Sequence, residues 1–128
     1  MATSLPRLAD AQAAVWTIRC RIQCRRQLDR RDVRSIVLPP SSGIPAGAGR
    51  VVSRLLRRRQ NQCLSNALIV QAWRADHGDQ VDVVIGVTAP SAGFSAHAWL
   101  ADAPEAAAAG HQPIYRLPPH RQLSTTRG

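Results

Sequence analysis

The spacing of apolar positions changes once along the chain, from a helical period to an alternating one. Ala14, Val15, Ile18 and Ile22 recur at helical steps within residues 10–28, which predicts a helix with Asp10 as its N-cap. Asp32 is placed to cap a short helix through Ile36. The run Pro39-Pro40-Ser41-Ser42-Gly43-Ile44-Pro45-Ala46-Gly47 is a loop by composition. Residues 49–59 predict a second helix, apolar along Val51, Val52, Leu55 and Leu56 and wet at Arg54, Arg57 and Arg58. Asn61 suits the N-cap of a third helix, from Gln62 to about Ala75. Leu64, Ala67, Leu68, Gln71, Ala72 and Ala75 share one side of it, and Gly78 suits the left-handed position that ends it.

Beyond Gly78 the period becomes two. Val81, Val83, Ile85 and Val87 alternate with Asp82, Val84 and Gly86, which predicts a strand. A turn through Pro90 and Gly93 leads to a second strand, Phe94 to Ala101. Along it Phe94, Ala96, Ala98 and Leu100 point one way, and Ser95, His97, Trp99 and Ala101 the other. A long turn from Asp102 to Gly110 precedes a third strand over Gln112–Leu117, stopped by Pro118-Pro119. The expected architecture is α+β: N-terminal helices, then a small antiparallel sheet. A length of 128 residues suits one domain, with an Arg-rich helical part (1–60), a helix-plus-sheet part (61–117) and a loose tail (118–128).

Charge is unevenly distributed over this plan. The net charge is +9 and every basic residue is arginine. Residues 1–62 hold 13 arginines against 3 acids, and residues 63–128 hold 4 against 5. A basic half steers toward acidic proteins or peptides. Nucleic acid is the less expected partner, and a solvated basic surface explains the same charge. The early arginine and acid, Arg7 and Asp10, with no apolar stretch, argue against a secretory signal, and no run is long enough to span a membrane. A cytoplasmic protein with no membrane association is expected. Three cysteines, an odd number, argue against a disulfide framework. Cys20 and Cys24 share one helix face, and with no second Cys/His pair at zinc-like spacing they read as small core residues, so no metal is expected.

Cys63 differs from these two because it falls at the start of its predicted helix. The first turn of a helix has unpaired N–H groups and partial positive charge, which favours a thiolate. Those N–H groups, with Gln60 or Gln62 beside them, suit a developing oxyanion. His97, held mid-strand, is the candidate base. Trp99 shares its face and is placed to wall the site from water or to touch substrate. By spacing alone the pair is a weak signal, since a cysteine or histidine in such places is more often structural.

The words around them are more specific. Cys63-Leu64-Ser65-Asn66-Ala67-Leu68, then Val84-Ile85-Gly86-Val87, then Phe94-Ser95-Ala96-His97-Ala98-Trp99-Leu100 resemble the transglutaminase-like leader peptidases of lasso-peptide biosynthesis. The likeness covers about residues 50–101. It implies a transglutaminase/papain-like cysteine peptidase core that uses no cofactor. It implies removal of the leader from a lasso precursor peptide, as part of antibiotic-type peptide maturation. It also implies two partners: a leader-binding recognition-element protein, and an asparagine-synthetase-like cyclase that closes the macrolactam. The chain has no room for the recognition element and resembles the stand-alone peptidase subunit.

One departure stands out. In that family an acid on the strand after the histidine completes a Cys-His-Asp triad, but here that stretch reaches Tyr115 and Arg116. Asp102 and Gln112 rank equally as substitutes that orient the imidazole, with Glu105 behind them. The missing acid leaves open a catalytically impaired scaffold subunit. A small basic binding protein is the alternative from a different class.

Overall fold

In the computed structural model, residues 4–30, 33–58, 63–88, 96–103 and 110–119 are described. Three helices come first: α1 (Ser4–Leu28), α2 (Gly49–Arg57) and α3 (Cys63–Asp76). Short 3-10 turns occupy Val33–Ser35 and Ala46–Ala48. Three strands follow: β1 (Val83–Thr88), β2 (Ala96–Leu100) and β3 (His111–Leu117). They form one antiparallel sheet in the order β2-β1-β3. The expected α+β order holds. The expected Asn61 cap, the turn at Pro90 and the tail from residue 120 lie outside the described residues.

α1 departs from expectation twice. It begins six residues before Asp10, which therefore lies inside the helix and does not cap it. Pro6 falls in the first turn, where a missing N–H breaks no helical bond. The buried stripe is also a different one. Ala9, Ala13, Trp16, Thr17, Cys20 and Cys24 face the core, whereas Val15, Ile18 and Ile22 face solvent. Around Trp16, which packs on Trp73, the buried stripe is made of small side chains. Thr17 satisfies its hydroxyl on the Ala13 carbonyl at 2.8 Å. The Trp16 indole N–H donates to the Pro39 carbonyl at 2.9 Å.

α3 is the central element, and its C-terminal half is tied by polar bonds. Gln71 is buried, and its amide donates to the carbonyls of Val81 (2.9 Å) and Leu117 (2.8 Å), joining the helix to the entry of β1 and the end of β3. Asp76 accepts from the Ser41 N–H (2.7 Å) and hydroxyl (2.9 Å), which fastens the Pro-rich loop. Trp73 meets Trp16 edge to face at 5.4 Å and stacks on His77 at 4.3 Å. Gly49 is required where α2 starts, because a Cβ there would meet the Trp73 indole nitrogen at 2.9 Å.

The sheet has one inner and one outer face. Residues opposite one another in an antiparallel pair share a face. Val83 pairs with Leu100 and Ile85 with Ala98, and these four pack with the helical core. Val84 pairs with Trp99 and Gly86 with His97, so these lie on the other face. Between β1 and β3 the register shifts at Ile85/Gly86: Tyr115 opposes Ile85 but Pro113 opposes Gly86. Ile114 is the extra residue of a bulge, and the bulge reverses the facing of everything before it in β3.

Candidate active site

Cys63 is the first residue of α3, one position nearer the helix start than the expected beginning at Gln62 would put it. Two bonds fix the approach to that helix end. Asn66 donates its amide to the Leu56 carbonyl (3.1 Å), and Arg21 donates to the Leu55 carbonyl (2.6 Å). Both carbonyls belong to the last turn of α2, where the helical ladder ends, and among the described residues only the Arg58 backbone N–H reaches back to them. Side chains of α1 and α3 therefore hold α2 against the start of α3.

Cys63 is half-buried, whereas Cys20 and Cys24 are fully buried. Burial pushes the Cys24 thiol up, and its hydrogen bond with Ser65 opposes that only in part. Cys63 is thus the accessible thiol of the three.

A cleft of about 450 Å³ opens beside it. Cys63, Asn66 and Val70 of α3 form one wall, Leu56 of α2 part of the floor, and His97 and Trp99 of β2 the opposite wall. All of His97, Ala98, Trp99 and Leu100 reach the cleft. It therefore runs along β2, an edge strand among the described residues, and is lined from both faces of that strand. No hydrogen bond joins Cys63 to His97 among the described residues.

The His97 ring sits in an aromatic group. It lies 5.8 Å from the Trp99 ring, inclined by 27°, and 5.1 Å from the His111 ring, inclined by 40°. Gly86 makes this possible: a Cβ there would meet the Trp99 ring at 2.6 Å and the Gln112 carbonyl oxygen at 2.9 Å. The bare backbone lets the indole lie across β1.

The residues expected to orient His97 have other positions. Asp102 gives both carboxylate oxygens to Arg74, at 3.0 and 2.6 Å, and Arg74 also binds Asp79. The hydrogen bond from Arg74 holds the Asp102 carboxyl below the usual carboxylate range. Arg74 is eleven residues along α3 from Cys63, roughly 16 Å at the helical rise, so the turn after β2 takes Asp102 toward the far end of the helix. Gln112 opposes Val87 and so lies on the sheet face opposite His97. The bulge is the reason, since an unbroken register would have sent its side chain the other way. Glu105, Gln60 and Gln62 lie outside the described residues.

His111 is the residue that sequence spacing missed. The same bulge sets it opposite Thr88, on the His97 face, where a regular strand would have pointed it inward. Pro113 was the available signal, because a proline within a strand marks an edge or a bulge. No described residue of β3 on that face carries a carboxylate; Arg116 there pairs with Asp82 at 3.2 Å.

Among the described residues no group of three or more His, Cys, Asp or Glu side chains is placed to hold a metal ion. No described helix is long and apolar enough to cross a membrane.

No curated protein and no solved structure matches the chain. A family model does: residues 5–116 match the one described as the transglutaminase-like superfamily. The match spans all three helices and most of the sheet, including Cys63 and His97. With helices leading into a small antiparallel sheet, a cysteine opening the central helix and a histidine on the strand beside it, this chain belongs to the transglutaminase-like superfamily.

Proposed function

We propose that this chain is a cysteine peptidase that removes the leader from a lasso-peptide precursor. The observation that supports this most is that Cys63, at the positive end of α3, opens on the same cleft as His97. The superfamily match supports the chemical class, and the residue words around Cys63 and His97 support the pathway.

In this proposal the Cys63 thiolate attacks the carbonyl at the leader–core junction, and N–H groups of the first turn of α3 hold the oxyanion. His97 gives a proton to the departing core amine as the C–N bond breaks, leaving the leader as a thioester on Cys63. His97 then takes a proton from water, which adds to the thioester and releases the leader carboxylate and the thiol. The Cys63–His97 hydrogen bond forms when substrate fills the cleft, as catalytic contacts of empty sites commonly tighten on binding. His111 and Trp99 hold the imidazole until then. A leader-binding recognition-element protein delivers the precursor, and an asparagine-synthetase-like cyclase closes the ring onto the freed amine. The chemistry calls for neither metal nor organic cofactor.

The test mixes wild type or Cys63→Ala with precursor and both partners and follows leader release by mass spectrometry. Undiminished release by Cys63→Ala rejects the proposal. A second reading, a scaffold subunit without catalysis, is favoured by the ion pair that engages Asp102. It predicts a stable complex with the cyclase and no cleavage by wild type.

A further inference from the structure

A second groove, which His97 does not line, also reaches Cys63. It encloses about 880 Å³ between α1 and the start of α3, within the range of ligand sites. Ile18, Ile22, Arg25 and Arg26 of α1 line it together with Cys63 and Leu64. The two isoleucines are each 50% exposed and belong to the solvent-facing stripe of α1. Arg25 and Arg26 make no ion pair with any described residue. Arg21 stands at the same groove, and Asp29 follows one turn after Arg25, so attraction for a carboxylate is confined to one stretch.

The spacing matches an extended chain. Ile18, Ile22 and Arg26 are successive helical turns, rising about 6 Å each. Alternate side chains of an extended peptide are about 6.6 Å apart. A strand laid along α1 thus sets one side chain on each isoleucine and the next on Arg26.

We propose that this groove holds the substrate chain next to its scissile bond and selects two apolar side chains followed, at alternate positions, by a carboxylate. The groove reaches Cys63, it is lined by Ile18, Ile22 and Leu64, and Arg25 and Arg26 at it pair with no carboxylate among the described residues. A second copy of this chain supplies no such charge pattern, because its own α1 stripe is equally basic. The inference rests on the proposed role of Cys63.

The test uses Cys63→Ala and a rhodamine-labelled, end-blocked peptide, Glu-Ser-Leu-Ser-Leu-Ser-Glu, whose symmetry covers both chain directions. A control carries Lys for Glu. Fluorescence anisotropy is expected to show binding of the acidic probe about tenfold tighter than the control. R25E/R26E should abolish that preference, and raised salt should weaken it. Ile22→Ala, at an exposed position, should weaken the acidic probe several-fold. Equal binding of the two probes, or an unchanged preference in R25E/R26E, overturns the proposal. So does a dimer in sedimentation that the probe fails to dissociate, which would assign the stripe to a second copy. Leader removal by wild type alongside no probe binding rejects the groove and leaves the peptidase standing. Probe binding by a chain that cleaves no precursor does the reverse.

Discussion

The two ends of α3 are built for different purposes. At the C-terminal end, Gln71, Arg74, Asp76 and His77 all bond to other parts of the chain. At the N-terminal end, Cys63 lines two clefts, one shared with His97 and the other with α1. The two buried bonds of Gln71 fix position most firmly, because losing the amide leaves two carbonyls unsatisfied, and the part-buried and exposed bonds around it add to them. An apolar cleft beside a helix N-terminus leaves the sulfur accessible to a ligand. One helix therefore joins an end tied into the fold by several side chains to an end that is positioned by Asn66 and Arg21 and opens on clefts.

Substitutions at the two ends should separate cleanly. Cys63→Ala is expected to lower leader removal by about a thousandfold or more while leaving urea unfolding nearly unchanged. His97→Ala should lower the same rate by roughly a hundredfold to ten-thousandfold. Gln71→Leu should do the opposite: it strips the donor from two carbonyls and is expected to cost about 2–3 kcal/mol in urea unfolding. Gly86→Ala forces a methyl into the Trp99 ring and the Gln112 carbonyl, and should cost about 1–3 kcal/mol while also displacing the wall of the cleft.

Asp102→Asn gives the smallest and most discriminating effect. The pair with Arg74 is partly exposed, so its loss should cost only about 0.5–1 kcal/mol. The folded carboxyl lies below its ordinary value, so the pair's contribution is complete above the usual carboxylate range near 4 and is lost as pH falls through and below it. Leader removal should be nearly unaffected. A fall of about a thousandfold in rate would instead give Asp102 the orienting role and break the contrast between the two ends.

Much of the plan was legible before any coordinates. The helical period marked α2 and α3 to within a residue or two, alternation marked the first two strands, and the stretch between Gly110 and Pro118 marked the third. Cys63 at the head of α3 and His97 on β2 followed from the same patterns. The failures have specific causes. α1 has apolar residues on two faces, and the helical spacing of Val15, Ile18 and Ile22 suggested them as the core. The core took instead the face that carries Trp16 and its small neighbours. Gln112 and His111 exchanged faces because one extra residue in β3 shifts every residue before it. Asp102 went to Arg74, twenty-eight residues away, which no local pattern encodes.

By itself, the sequence determined the order of the elements, the cysteine at a helix start, the histidine on a strand and the lack of an acid on β3. Tertiary structure alone decided which stripe of α1 is buried, which histidine joins His97 and which cation takes Asp102. The physical reason is range. Periodicity and capping are set by neighbours a few residues apart, whereas burial, register and charge pairing are settled where distant segments meet.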